Sequence, residues 1–103
     1  MTEHRYRLSA RVSSDAPERV RAVLERFVGG GGTVRRGPDG WEVEAELAGA
    51  SARDLNRALL TELRRAEKRT RLRAEWSADG WVERFFDYVP KGRRPVPEAT
   101  GRR

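Results

Sequence analysis

The chain predicts an α+β domain with elements in the order βαββαβ. Three observations carry that prediction. Three segments alternate apolar and polar residues with the period of a half-buried strand, and a fourth, shorter one precedes a turn signal. Two segments space their apolar residues as a helix does and open on helix-starting residues. A chain of 103 residues has room for one core only, so strands and helices must share it.

The elements follow in chain order. In His4–Ser13, Tyr6, Leu8, Ala10 and Val12 point one way and Arg5, Arg7, Ser9 and Arg11 the other, as in a half-buried strand. Ser14-Asp15-Ala16-Pro17-Glu18 starts a helix, with Asp15 as the expected cap and Pro17 tolerated in the first turn. Val20, Val23, Leu24, Phe27 and Val28 then form its apolar stripe, and Gly29 to Gly32 end it. Thr33–Arg36 is a short strand, and Gly37-Pro38-Asp39-Gly40 reads as a hairpin turn. Trp41–Leu47 alternates Trp41, Val43, Ala45 and Leu47 with Glu42, Glu44 and Glu46. Ser51 caps a second helix, striped by Leu55, Ala58, Leu59, Leu63 and Ala66 and expected to reach about Lys68. Arg69–Ser77 alternates again, with Leu72, Ala74 and Trp76 inward and Arg71, Arg73 and Glu75 outward.

This order resembles the split βαβ pattern of the ferredoxin-like plait. The resemblance is one of fold only. It implies an antiparallel sheet ordered 4-1-3-2 with both helices on one face, and it implies no function, because that fold hosts many. The expected core is Leu8, Ala10, Val12, Val20, Leu24, Phe27, Val43, Leu47, Leu55, Leu59, Leu63, Leu72 and Trp76.

Residues 81–89 fit an amphipathic helix or a fifth strand. The strand is preferred, because Ala78-Asp79-Gly80 suits a three-residue hairpin loop and the segment is rich in β-formers. That loop would pair Ser77 with Trp81 and Leu72 with Phe86. Val82, Phe86 and Tyr88 would then face the core, and Trp81 and Phe85 would face out. The defect of this register is Glu75 opposite Glu83. The expected organisation is one domain over residues 1–89 and a disordered basic tail over 90–103, which holds three prolines and two glycines.

Composition narrows function. Cysteine is absent, and one His and one Met leave little for metal or haem ligation, so no cofactor or metal is expected. No apolar run approaches a membrane span, and the first residues lack the apolar stretch of a secretory leader, which predicts a cytoplasmic protein. His4, the single imidazole, stands beside no nucleophile motif, and Ser13-Ser14-Asp15 puts an acid where a phosphate-binding loop would want amides. No catalytic residue is assigned and an enzyme is not expected. Glu42, Glu44 and Glu46 lie beside the Arg5, Arg7 and Arg11 of the first strand, so a salt-bridge ladder is expected there rather than a metal site.

The net charge is +6, from 22 basic and 16 acidic residues. The last fourteen residues carry +4 of it. Twenty of the basic residues are arginines, a bias that fits either a GC-rich genome or selection for phosphate or carboxylate recognition, which composition does not separate. Clustering is the better guide. Arg64, Arg65, Lys68, Arg69, Arg71 and Arg73, joined by Arg93 and Arg94 of the tail, form a candidate anion or nucleic-acid patch. Some of these cations belong to ordinary helix-end chemistry. The central strands show no outward aromatics for base stacking, so any nucleic-acid binding is expected to be weak, salt-sensitive and indifferent to sequence. Trp81 and Phe85, outward in the expected register, form a candidate protein interface. The leading expectation is therefore a non-catalytic binding or regulatory module acting through protein contacts, including a homodimer. The alternative is an RNA- or DNA-binding accessory protein.

Overall fold

The computed structural model describes residues 4–87 and 89–95. The alternating segments form strands and the two apolar stripes form helices: β1 His4–Ser13, α1 Pro17–Val28, β2 Gly32–Gly37, β3 Gly40–Gly49, α2 Ala52–Ala66, β4 Arg71–Ala78, β5 Trp81–Phe86 and β6 Val89–Pro95, with one 3₁₀ turn at Gly29–Gly31. All neighbouring strands are antiparallel. The sheet has six strands in the order β2-β3-β1-β4-β5-β6. This corrects the expectation of a 4-1-3-2 sheet with a single appended strand. The neighbour relations β2–β3, β3–β1 and β1–β4 fill one side, and two strands, not one, extend the sheet beyond β4. No helix among the described residues is long and apolar enough to cross a membrane.

Both helices lie on one face of the sheet and close a single core. Leu8, Val12, Val20, Leu24, Val43, Leu59, Leu63, Leu72 and Trp76 are buried there, while Phe27, Leu47 and Leu55 pack partly buried at its margin. Trp41 joins the core and donates its indole N–H to the Pro17 carbonyl at 2.9 Å, tying β3 to the start of α1.

The helix starts differ. Ser51 caps α2 by accepting the Asp54 N–H at 3.0 Å. Asp15 does not cap α1: Ala16 holds the cap position, and its N–H goes back to the Ser14 hydroxyl at 3.0 Å. That hydroxyl is itself engaged, donating to Glu67 Oε1 at 2.9 Å. Buried Thr70 donates to the Glu67 carbonyl at 2.7 Å. The Glu67 carboxylate also accepts the N–H groups of Arg69 (2.9 Å) and Asp15 (3.3 Å). These bonds join the exit of β1 to the entry of β4. They hold the Glu67 carboxyl below its ordinary pKa, the Arg69 N–H most of all, because each is made to the charged form.

The β4–β5 hairpin has a two-residue loop rather than a three-residue one. Asp79 and Gly80 both take positive φ (54° and 84°), as a type I′ turn requires, and Ala78 pairs with Trp81. The register is thus one residue from the expected one, which moves every β5 side chain to the other face. Phe85 sits opposite Ala74 and is 2% exposed in the core, and Phe86 sits opposite Arg73 on the open face. Val82 pairs with Ser77, buried but outside the core cluster. The expected Glu75–Glu83 clash disappears. Glu75 faces Arg84 instead, at 3.6 Å, and burying Phe85 in place of Phe86 supplies the core. Tyr88 lies outside the described residues.

Asp87, the residue after β5, takes φ 59°. Its carboxylate accepts the Leu72 N–H at 2.9 Å, and its backbone N–H donates to the Leu72 carbonyl. Asn56 of α2, fully buried, donates to the Asp87 carbonyl and accepts the Trp76 indole N–H at 3.0 Å. The chain then returns as β6, so residues 90–95 of the expected disordered tail belong to a sheet strand. Their exposed edge carries Pro90, Lys91, Arg93, Arg94 and Pro95, residues that resist pairing with a further strand. Residues 96–103 lie outside the described residues.

Candidate functional site

The face of the sheet opposite the helices carries the outward members of every alternating strand. One row across it runs Arg35, Glu42, Arg11, Arg73, Phe86, each directly opposite the next on β2, β3, β1, β4 and β5. Arg35 and Glu42 form an ion pair at 3.4 Å. Arg11 and Arg73 do not share in it. They are cross-strand partners of like charge, an arrangement that costs stability. Neither has a carboxylate within ion-pair distance among the described residues.

Phe86 is followed in the row by Val89 of β6, which is 55% exposed. The Arg73 guanidinium lies 5.0 Å from the Phe86 ring centroid, that of Arg84 5.8 Å, and the Lys91 ammonium 5.7 Å. Lys91 reaches the ring because the β5–β6 register shifts between Arg84 and Phe85, leaving Lys91 as the extra residue of a bulge. Arg71, next along β4, is 4.0 Å from Asp87. The result is a cationic corner built from β1, β4, β5 and the bulge of β6.

The rest of the face is closer to balance. Arg5 and Arg7 both reach Glu46, at 3.3 and 3.6 Å, so the expected ladder forms at that end. Arg11, the third expected member, is left out of it. A shallow groove of about 470 Å³ crosses the middle, lined by Ser9, Arg11, Glu42, Glu44, Arg73, Glu75, Arg84 and Phe86. A smaller hollow of about 220 Å³, lined by Arg11, Ser13, Asp39, Arg71 and Arg73, adjoins it and shares the arginine pair. Chemically the corner can hold an anion and present an aromatic ring beside it. Among the described residues no group of three or more His, Asp or Glu is gathered to hold a metal ion.

The residues expected to form one basic patch are brought together only in part: Arg64 and Arg71 meet the same Asp87 carboxylate, and the rest are spread over α2, the turn after it and the strands. Arg71 and Arg73 lie on the open face. Arg64 is on α2, where its Nε donates to the Thr70 carbonyl at 3.0 Å and its guanidinium meets Asp87 at 3.3 Å. Arg65 pairs with Glu62 at 3.1 Å. Lys68 and Arg69 occupy the turn after α2. Arg93 stacks on Trp81, 4.6 Å from its centroid, and pairs across with Glu83; Arg94 lies opposite Val82. The expected protein interface is also divided. Trp81 is 42% exposed, but Phe85 is core and presents nothing to a partner.

Sequence reading assigned none of Arg11, Arg84, Phe86 and Lys91 to a site, placing Arg11 in the salt-bridge ladder and Phe86 in the core. One signal could have found Phe86: Asp-Gly is the standard pair for a two-residue hairpin, and that turn puts Phe86 outward. Compared with known protein families, curated proteins and solved structures, the chain matches none of them.

Proposed function

We propose that this protein is a non-catalytic nucleic-acid-binding module whose contact surface is the open sheet face, centred on Arg11 and Arg73. The single observation that carries the reading is the directly opposed arginine pair, neither member of which has a carboxylate within ion-pair distance among the described residues. A like-charge pair raises the energy of the free protein, and a phosphate between two guanidinium forks removes that cost and gains charge-assisted hydrogen bonds. The neighbouring Lys91 adds to the attraction for a polyanion, while Arg71 and Arg84 are already paired with Asp87 and Glu75. Phosphate contacts supply most of the affinity on this face.

The test is binding of unrelated oligonucleotides across a salt series. The logarithm of affinity should fall linearly with the logarithm of salt. Arg11→Gln and Arg73→Gln should each lower the slope by about 0.7–0.9, one phosphate's worth. Arg65→Gln, whose partner is Glu62, should leave the slope unchanged. Absence of binding by the wild-type chain at low salt would refute the reading.

A second reading, contact with a protein partner or a second copy, draws support from two exposed apolar side chains, Trp81, overlaid by Arg93, and Val89. It requires a concentration-dependent mass in ultracentrifugation that Trp81→Ser abolishes.

A further inference from the structure

We infer that the strand held on this face is single-stranded, with a phosphate between Arg11 and Arg73 and an unpaired base on the Phe86 ring. The inference rests on the nucleic-acid reading above and specifies its ligand.

Arg11, Arg73 and Phe86 are consecutive members of one cross-strand row. Directly opposite residues stand about 4.5–5.5 Å apart at Cβ, so the two guanidiniums can share one anion. Phe86 is one strand spacing further on, about 4.8 Å, which brings the group next to that anion over the ring. A phenyl ring on a charged, solvated sheet face is out of place as core. Here it is half-buried and gathers Arg73, Arg84 and Lys91 around it. Ring and cations together make the stacking-plus-phosphate combination by which single strands are bound.

The charges one row along argue the same way. Glu44 and Glu75 line the same groove, and Glu44 has no cation within ion-pair distance among the described residues. A second phosphate is unwelcome there, so a backbone cannot run straight up the seam between β1 and β4. A base turned inward is accommodated, because carboxylates accept hydrogen bonds from exocyclic amino groups. A duplex keeps its base faces stacked against one another. It would meet the arginines with phosphate and leave Phe86 unused.

The experiment is fluorescence anisotropy with the full chain at low salt. The probes are one labelled strand of about 12 nucleotides and the same strand annealed to its complement. The single strand should bind about tenfold more tightly. Phe86→Leu should weaken single-strand binding about tenfold and leave duplex binding unchanged, and Phe86→Tyr should retain wild-type behaviour. Arg11→Gln should weaken both. Equal affinity for strand and duplex would overturn the inference. So would a Phe86→Leu variant that binds the strand normally while Arg11→Gln does not, and either result would leave the nucleic-acid reading standing. No binding of either probe by the wild-type chain would overturn both.

Discussion

Removing one of two like charges that face each other should relieve strain, and the Arg11–Arg73 pair allows that to be measured. The difficulty is that neither residue has one neighbour. Arg11 stands between Arg73 and Glu42, and Arg73 between Arg11 and the Phe86 ring. Arg11→Gln therefore loses an attraction along with a repulsion, and Arg73→Gln loses a cation–π contact of about 0.5–1 kcal/mol. Each single variant mixes opposing effects. A double-mutant cycle of the two isolates the pair. Both side chains are exposed, so the coupling belongs to the cross-strand range of about 0.2–1 kcal/mol, with a repulsive sign. The assay is urea unfolding of the wild type, the two single variants and the double variant, at low salt and again at about 1 M salt. The screening length falls from about 30 Å at 0.01 M to about 3 Å at 1 M, so the coupling should vanish in the second series. A coupling that is attractive, or that does not change with salt, would mean that the guanidiniums do not face each other. The anion seat would then lose its foundation.

Two further perturbations probe the frame that holds this face in place. Asn56→Ala should destabilise by about 2–4 kcal/mol, since it strands the buried Trp76 indole N–H and the Asp87 carbonyl together, and urea unfolding monitored by tryptophan fluorescence would show it. A loss under about 0.5 kcal/mol would mean that water or another group satisfies both. Glu67→Gln concerns pH. The folded protein holds this carboxyl below its usual pKa of 4.5, so its contribution to stability is complete above that value and is lost as pH falls through the lower, folded one. The variant should be less stable than wild type at about pH 7, and the difference should shrink on acidification. A constant difference between about pH 7 and about pH 3 would show that the Glu67 charge has no part in it.

The candidate surface was only partly legible in advance. Arg71 and Arg73 belong to the dense basic run that composition picks out, and both reach the open face because β4 alternates. Arg64 and Arg65 belong to the same run yet lie on α2, where Asp87, Thr70 and Glu62 occupy them. Proximity along the chain joined what a helix-to-strand transition separates. Arg11 shows the reverse. It lies 62 positions from Arg73 in sequence, and its alternation on β1 predicts its face without naming the residue it meets.

What the sequence determined by itself is the set of faces. A period of two decides which side of β1, β3 and β4 is apolar, and the helical stripes decide which sides of α1 and α2 meet them. These are local properties, and a single shared core leaves them one solution. Register and partnership were decided only by the tertiary structure. In Trp-Val-Glu-Arg-Phe-Phe both parities present an aromatic to the core, so the pattern is indifferent and the Asp79-Gly80 turn chooses, burying Phe85 and exposing Phe86. Residues 89–95 have no apolar period of their own and become a strand because β5 offers them an edge. Asn56 is polar and lies in a helix, and only the arrival of Trp76 and the Asp87 carbonyl makes its burial tolerable. In each case the deciding interaction is with a backbone or side chain brought up from elsewhere in the fold, and that is information a local pattern does not hold.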